Sequence, residues 1–448
     1  MLFVLMLVLA VTPLAMSFHF SQKTRCNAIR PIDIGQVFTW IVFLYAFLPL
    51  LGIWLSSQGI GSLADQRLGG EQPDTVLVQA VAKSYVAFMV AFALTYSTTR
   101  RPSMLQPVVQ QAPTFHDLRT VVLLVCFVKL ASFVLQIGFG SDASDSYIGS
   151  YTALRGQPIL VQQLAGVLTA SDFASTVLLN FVAVAYKPKL WPYISAAVIL
   201  QVSIAVMGGG SRTNAFLYAL AFMVARSFYD RRLSARILVL YGVIGVALFL
   251  LGGLLRSGFD SAEGPLNLQI IQGGEFLSVF YNSLDLLGHL GDAELDAVKL
   301  GVYLVDLLRL IPQQIIGDIK VDPSTFYVST FYPEYSDAGG GLAFGAIAES
   351  SIGFGWPEAL LRGALLGWLY STIANQCLNG KFTVVRGFIY VWFVVMSYQS
   401  IRDTTFSTIP RFAIQVIPML VLLYVVGVFR HKRSLHVKPL KGMLGRST

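Results

Sequence analysis

Long apolar stretches recur along the chain, and most are separated by short polar segments. A helix needs about 20 apolar residues to cross the hydrocarbon core of a bilayer. The segment 342–356 is apolar but short and rich in glycine, so we expect it to be re-entrant or interfacial. The longer stretches predict eleven transmembrane helices, at roughly 2–18, 36–56, 76–97, 120–138, 160–185, 191–207, 214–229, 237–255, 357–376, 384–400 and 408–429.

The composition agrees with this pattern. Of the 448 residues, 55% are hydrophobic and 12% are charged, whereas a soluble domain carries about 25% charged residues. This difference excludes an ordinary soluble enzyme, and the lack of low-complexity tracts excludes a disordered or collagen-like chain. We therefore predict an all-α polytopic membrane protein, a single transmembrane domain over 1–448 with a basic cytoplasmic tail at 430–448.

The charges predict the orientation of the spans. The first ten residues are uncharged, and the first bases, Lys23, Arg25 and Arg30, follow the apolar stretch. A signal peptide has its positive charge before that stretch, so we expect a retained helix with its N-terminus outside. Most Lys and Arg then fall in cytoplasmic segments, as the positive-inside rule requires. The net charge of +8 is thus explained by topology, and no nucleic acid partner is needed.

One predicted external loop is long enough to have its own structure. Residues 256–341 separate spans eight and nine, and two stretches of the loop have apolar residues at helical spacing. We expect amphipathic helices along the membrane surface. The loop is also rich in aromatic residues, which suit either an interfacial belt or stacking against sugars. The helical patterns are Phe276, Phe280, Leu284 and Leu287, then Val302, Val305, Leu308 and Ile311, and the candidate sugar contacts are Tyr332 and Tyr335.

Arginines occur at the external ends of predicted spans, where the positive-inside rule disfavours them. A guanidinium is always charged, and its fork of donors matches phosphate oxygens. The hypothesis is an anion site for a lipid-linked phosphate or pyrophosphate at the outer leaflet. The alternative is that each arginine snorkels or pairs with a nearby acid. The pyrophosphate candidates are Arg212, Arg256, Arg402 and Arg411, and Arg155 and Arg309 are further external candidates for substrate binding.

Several acids on the same face are candidates for a general base. Glu349 lies in the short apolar segment, where a carboxylate is costly unless it is functional or paired. A structural ion pair between Glu349 and an arginine is the alternative. Three cysteines and five histidines show no metal-ligand spacing, so we expect no metal. The candidate bases are Glu349, Asp403 and Glu275, Asp337 is a candidate for the base or for substrate binding, and His289 is a less favoured candidate base.

The order of these features is similar to that of a known family. A Gly209-Gly210-Ser211-Arg212 turn is followed by Arg256 at a span end, then by Glu275, Asn282, a long external loop and Arg402. In this order, over about residues 140–430, the chain resembles the bacterial oligosaccharide repeat-unit polymerases (Wzy-type O-antigen polymerases). Its layout is similar to that of enterobacterial common antigen polymerases. One departure is Ser351, where the family usually has an aromatic residue between a glutamate, here Glu349, and Phe354-Gly355.

The resemblance implies a fold, a location and a reaction. It implies a GT-C-like membrane glycosyltransferase of the bacterial inner membrane that works without a metal or cofactor. The enzyme would transfer a polymer from undecaprenyl pyrophosphate to a new lipid-linked repeat unit at the periplasmic leaflet. Its partners would be undecaprenyl-pyrophosphate-linked oligosaccharide, membrane lipids and a chain-length regulator.

Two other functions remain open from the sequence. An O-antigen ligase uses similar donors, but its signature begins with a histidine beside a small polar residue, and here Leu290 follows His289. A flippase or transporter of lipid-linked oligosaccharides is often built from repeats, and no repeated segment relates the two halves of this chain.

Overall fold

A computed structural model describes the protein at a defined set of positions. They are residues 1–23, 31–58, 73–101, 115–140, 159–184, 212–228, 275–291, 293–308, 311, 322–333, 336, 342–379 and 383–425. All regular secondary structure in these ranges is helical.

The described residues form fourteen α-helices, which we number in chain order. The first six are α1 (Leu2–Lys23), α2 (Ile34–Ser57), α3 (Thr75–Thr99), α4 (Phe115–Gly140), α5 (Ile159–Val184) and α6 (Arg212–Ser227). The next four are α7 (Glu275–Gly288), α8 (Ala293–Leu308), α9 (Pro323–Phe331) and α10 (Ala346–Ile352). The last four are α11 (Trp356–Leu378), α12 (Val384–Met396), α13 (Gln399–Arg402) and α14 (Thr408–Val425).

Four of these helices contain segments long and apolar enough to cross a membrane. They make the chain a helical membrane protein in its general character. Nine of the eleven predicted spans coincide with described helices, whereas 191–207 and 237–255 lie outside the described residues. The number of spans therefore stays a prediction. The four segments are Leu2–His19, Ile34–Ser57, Thr75–Thr99 and Thr408–Val425.

Close contacts define the relative directions of the helices. The glycines at 363 and 367 of α11 meet Phe88 and Phe92 of α3, so α3 and α11 run parallel. Lys129 of α4 donates to Asp172 of α5 at 3.1 Å, and Ser132 donates to the carbonyl of residue 168 at 3.3 Å, so α4 and α5 run antiparallel. Successive spans cross the membrane in alternating directions. Predicted spans three (α3) and nine (α11) should therefore run the same way, and predicted spans four (α4) and five (α5) should run in opposite ways. The observed directions are the ones that this alternation requires.

The contact between α3 and α11 depends on two glycines with G-x-x-x-G spacing. Small residues at this spacing let two helix backbones approach closely within a membrane. A Cβ at Gly367 would lie 2.6 Å from the carbonyl oxygen of Phe92, and one at Gly363 would collide with the carbonyl of Phe88. The pair of glycines therefore fixes the position of α11 against α3.

Adding a methyl group at this contact should destabilise the protein. We expect Gly363→Ala to lower the free energy of unfolding by about 1–3 kcal/mol, because the backbone of α3 must move to accept the new carbon. The measurement is thermal unfolding of the purified protein in detergent. Leu361→Ala is the control, since Leu361 is on the same helix and is 57% exposed. Equal midpoints for Gly363→Ala and wild type would contradict the close contact.

Polar contacts tie together one end of the helical bundle, which we call the Asp33 end. Asp33 caps α2 by accepting from the backbone of Gly35 at 2.9 Å, and it pairs with Arg100 Nε at 3.5 Å. Asn375 near the end of α11 accepts from Arg100 Nη1 at 2.9 Å. The Tyr390 hydroxyl accepts from the backbone N–H of residue 34 at 3.0 Å. Residues of α2, α3, α11 and α12 are thus held together at this end.

The opposite end of α11 lies among the helices of the predicted external loop. Helices α7 and α8 occur where the two amphipathic patterns predict them. The apolar face of α7 packs into the protein, since Phe276 meets Tyr45 at 4.8 Å and Phe280 stacks on Tyr85 at 5.6 Å between ring centroids. On α8, Val302 and Val305 are buried. The sequence pattern predicts helices along the membrane surface. The structure shows that the apolar face of α7 is covered by α2 and α3.

The structure refines two of the predicted segments. The apolar segment 342–356 contains the short helix α10, and all seven of its residues are buried against protein. The predicted span 384–400 is interrupted, because α12 ends at Met396 and a separate turn of helix, α13, follows. In α13 the backbone N–H of Ser400 bonds to the carbonyl of Ser397, three residues earlier. In an α-helix this bond would reach the carbonyl four residues earlier, so the turn here is of the narrower 3₁₀ type. The helix of this span therefore ends at Met396, and the polar residues after it form the separate turn α13.

Candidate functional site

An open pocket of about 290 Å³ lies where α13 and α14 meet the segments before α9 and α10. Ligand sites in proteins begin at about 300 Å³, so the pocket suits part of a larger ligand. Three side chains predicted for the site, Arg402, Asp403 and Arg411, line it together. The remaining lining residues are Asp322, Ser324, Leu342, Ala343 and Gln399.

The local fold brings Asp403 and Arg411 together. Helix α13 ends at Arg402, and the N–H of Asp403 bonds to the carbonyl of Gln399 at 2.9 Å. The turn after Asp403 leads into α14, whose first turn carries Arg411. Arg411 Nη2 donates to Asp403 Oδ2 at 3.0 Å. The sequence left open that an external arginine pairs with a nearby acid. The structure shows such a pair between Arg411 and Asp403.

The other walls of the pocket are fixed by hydrogen bonds. Asp322 caps α9, accepting from the N–H and the hydroxyl of Thr325 at 3.3 and 2.6 Å. Asn282 of α7, which is fully buried, donates its side-chain amide to the carbonyl of Ala343. The pocket wall at Ala343 is therefore attached to the core through α7.

Glu349 lies next to this pocket but does not line it. Its side chain on α10 is 2% exposed, and its Oε2 accepts three hydrogen bonds. The donors are Arg362 Nη1 at 2.8 Å, the backbone N–H of Thr405 at 2.8 Å and the Thr405 hydroxyl at 2.7 Å. Three donors on one oxygen stabilise an ionised carboxylate. Because Thr405 follows Asp403 by two residues, Glu349 holds the segment that carries the pocket residues.

Arg362 connects Glu349 to a second acid. Its Nε donates to Glu358 Oε1 at 2.7 Å, one helical turn earlier on α11. The guanidinium lies 5.4 Å from the centroid of the Tyr303 ring, a cation–π contact that joins α8 to α11. The Tyr303 hydroxyl donates to Glu358 Oε2 at 3.0 Å. Burial and the Glu358 carboxylate raise the pKa of Tyr303 to about 12, so this hydroxyl remains a donor at neutral pH.

Tyr332, a predicted sugar contact, lies in a different cluster. Its hydroxyl and that of Tyr327 both donate to Asp285 Oδ2, at 2.8 and 2.6 Å. His289 Nδ1 lies 3.3 Å from the other oxygen of Asp285, and its ring lies 4.6 Å from that of Phe331. This cluster joins α7 to α9, and Tyr332 does not line the pocket.

The remaining predicted site residues lie partly or wholly outside the described residues. Arg212 begins α6 and Glu275 begins α7, and only their backbones are described. Their roles stay predictions. The residues outside the described part are Arg155, Arg256, Arg309, Tyr335 and Asp337.

Four residues that matter to this geometry were missed as site residues by the sequence argument. Arg362 had a local signal, because Glu358 and Arg362 are four residues apart on one helix and such residues are neighbours. Gln399 also had one, since it lies in the mostly polar segment 397–405 at a span end. Asp322 had the signal of a helix N-cap, because Pro323 follows it, but its place in the pocket depends on distant segments. Asp285 had no local signal for its contacts with Tyr327 and Tyr332, which lie 42 and 47 residues later in the chain.

The pocket combines cationic and anionic groups. Two arginines and two aspartates line it, so their formal charges balance. A guanidinium can bind a phosphate oxygen, and a neighbouring carboxylate can accept a proton. Within the described ranges, no group of three or more His, Cys, Asp or Glu side chains could hold a metal ion. The arrangement therefore suits a reaction in which an anionic group and a proton are handled side by side.

The chain was compared with known proteins at three levels. No protein-family model, no curated protein and no solved structure matches it. Its function therefore has to be argued from its own residues.

Proposed function

We propose that this protein is a membrane glycosyltransferase that polymerises undecaprenyl-pyrophosphate-linked oligosaccharide repeat units. The reaction takes place at the periplasmic leaflet of the bacterial inner membrane, with the N-terminus periplasmic and the C-terminus cytoplasmic. Arg402 and Arg411 bind the pyrophosphate, and Asp403 is the general base. Glu349 takes the role of holding the segment 403–405 in place, because Arg362 and Thr405 together place three donors on its buried Oε2.

One observation carries this proposal. Arg402, Asp403 and Arg411 line one open pocket at the end of an apolar helical bundle, opposite the Asp33 end. A charged pocket at the end of membrane helices suits a substrate whose lipid lies in the bilayer and whose head group is polar and anionic. A lipid-linked glycosyl pyrophosphate has these properties.

The chemistry follows from the positions of the charged groups. Asp403 accepts the proton of an acceptor sugar hydroxyl, and the hydroxyl oxygen bonds to the anomeric carbon of the donor sugar. The bond from that carbon to the pyrophosphate oxygen breaks, and undecaprenyl pyrophosphate leaves. The two arginines stabilise the charge that develops on the leaving oxygen. Because Arg411 pairs with Asp403, the proposed base lies next to one of the proposed pyrophosphate ligands.

The pyrophosphate site can be tested by binding. We expect Arg402→Ala and Arg411→Ala each to weaken binding of farnesyl diphosphate, a short pyrophosphate lipid, by roughly 10–100-fold. This is the loss of one charge-assisted hydrogen bond, about 1.5–3 kcal/mol. The measurement is titration of the purified protein in detergent, with farnesol as the probe that has the lipid but no pyrophosphate.

The control for these variants is Arg386→Ala. Arg386 lies in the first turn of α12, about 15 Å of helix away from Met396 and thus far from the pocket. It should bind farnesyl diphosphate as wild type does. Unchanged affinity in both pocket variants, or an equal loss in Arg386→Ala, would remove the pyrophosphate site from the proposal.

A further inference from the structure

Gln399 is a buried residue of the pocket whose side-chain oxygen is not used by the protein. Its side chain is only 4% exposed. Its Nε2 donates to the Tyr398 hydroxyl, but Oε1 has no hydrogen-bond partner among the described residues. A buried acceptor without a partner costs about 1–3 kcal/mol, and most buried polar atoms in proteins have a partner. Because Gln399 lines the pocket, a rotation of its side chain toward the pocket would present this acceptor to a ligand.

The backbone of Gln399 is held firmly, which fixes the start of its side chain. Its carbonyl accepts from the Ser407 hydroxyl at 3.0 Å and from the N–H of Asp403 at 2.9 Å. Both contacts come from the segment that follows α13. The amide of Gln399 is thus presented by a rigid turn, as a residue that recognises a ligand requires.

Arg411, which also lines the pocket, has a second buried atom without a partner among the described residues. Arg411 uses Nη2 to bind Asp403, whereas its buried Nε has no hydrogen-bond partner in the described part of the chain. The pocket thus offers one donor, from Arg411, and one acceptor, from Gln399. A ligand that satisfies both must carry an acceptor and a donor close together.

The unpartnered Gln399 Oε1 distinguishes a free pyrophosphate from a pyrophosphate that carries a sugar. An ionised pyrophosphate has only acceptor oxygens, so it can satisfy Arg411 but not Gln399 Oε1. A sugar attached to the pyrophosphate adds hydroxyl groups, and an N-acetylated sugar also adds an amide N–H. These groups are the donors that Gln399 Oε1 lacks.

We propose that Gln399 Oε1 accepts a hydrogen bond from the sugar that is attached directly to the pyrophosphate. Gln399 is then a specificity residue that distinguishes a glycosylated lipid pyrophosphate from the free one. This proposal rests on the pyrophosphate site proposed above. It also gives the enzyme a means to release its product, because the undecaprenyl pyrophosphate that leaves no longer has the group that Gln399 binds.

The test compares two probes on wild type and on Gln399→Met, which has nearly the same length and no polar atoms. The probes are farnesyl diphosphate and farnesyl-diphosphate-linked N-acetylglucosamine. Wild type should bind the glycosylated probe more tightly. Gln399→Met should weaken the glycosylated probe by roughly 3–10-fold, the value of one neutral hydrogen bond, and leave farnesyl diphosphate unchanged.

Stability supplies a readout that separates recognition from a structural role. Gln399→Met removes a buried acceptor without a partner and also the hydrogen bond from Nε2 to the Tyr398 hydroxyl. The two changes act in opposite directions, so the ligand-free variant should unfold near the wild-type temperature. Gln415→Met is the matched control. Gln415 Oε1 accepts from Trp392 Nε1 at 3.0 Å, away from the pocket, so this variant should lose stability and keep the wild-type preference between probes.

The outcomes distinguish this inference from the pyrophosphate site. Equal effects of Gln399→Met on both probes, or none on either, would overturn the role of Gln399 while the pyrophosphate site stands. A lower unfolding temperature together with an unchanged preference would assign Gln399 a structural role and overturn the proposal. If wild type binds neither probe, the pyrophosphate site is wrong, and this inference is wrong with it.

Discussion

Replacing Arg362 with methionine is expected to lower the free energy of unfolding by roughly 3–5 kcal/mol, the largest stability effect that the structure predicts. The variant leaves the carboxylate of Glu349, which is 2% exposed, without its cationic partner. It also removes the cationic partner of Glu358, whose side chain is 9% exposed and which keeps the hydrogen bond from the Tyr303 hydroxyl. Burying a charge that has lost its partner costs far more than an exposed ion pair contributes. Chemical denaturation of the purified protein in detergent measures the effect.

The double variant Arg362→Met with Glu349→Gln separates the ion pair from general damage to the fold. Removing both charges eliminates the unpaired carboxylate, and a glutamine oxygen can still accept from Thr405. We therefore expect the double variant to recover much of the lost stability. The account of Glu349 as a residue that holds 403–405 would be contradicted if the single variant were as stable as wild type. It would also be contradicted if the double variant were no more stable than the single one.

Asp403→Asn should have the largest effect on activity. We expect turnover to fall by roughly 10²–10⁴-fold, the usual contribution of a general base. Asparagine can still accept a hydrogen bond from Arg411, so the pocket should keep its shape and its affinity for the pyrophosphate donor. The measurement is polymer formation by reconstituted protein from lipid-linked repeat units, with donor binding measured in parallel.

The matched control is Asp322→Asn, the same chemical change at the other aspartate of the pocket. Asp322 caps α9, and asparagine is about as good an N-cap as aspartate. This variant should therefore keep near wild-type turnover. Wild-type rates in Asp403→Asn, or an equal loss in Asp322→Asn, would exclude Asp403 as the base.

The sequence predicted those parts of the molecule that depend on local pattern. Apolar residues at helical spacing located α7 and α8, and long apolar stretches located α2 and α3. Arg402, Asp403 and Arg411 lie within ten residues of one another at a predicted span end, so the sequence could place them on the same external face.

Contacts between distant segments could not be read from the pattern. Glu349 is joined to Thr405, which is 56 residues later in the chain. Gly363 and Gly367 matter only because α3 lies against them, and periodicity does not identify which helices are neighbours. A charge in an apolar segment indicated that Glu349 has a partner or a function, but the choice between these required the positions of Arg362 and Thr405.

The most direct test of the central proposal is the size ladder of surface polysaccharide from bacteria that lack this protein. A repeat-unit polymerase predicts products that carry a single repeat, and the long chains should return when the wild-type protein is supplied. Complete loss of attached repeats would indicate a ligase or a flippase. A ladder that is unchanged by the deletion would contradict the proposed polymerase function.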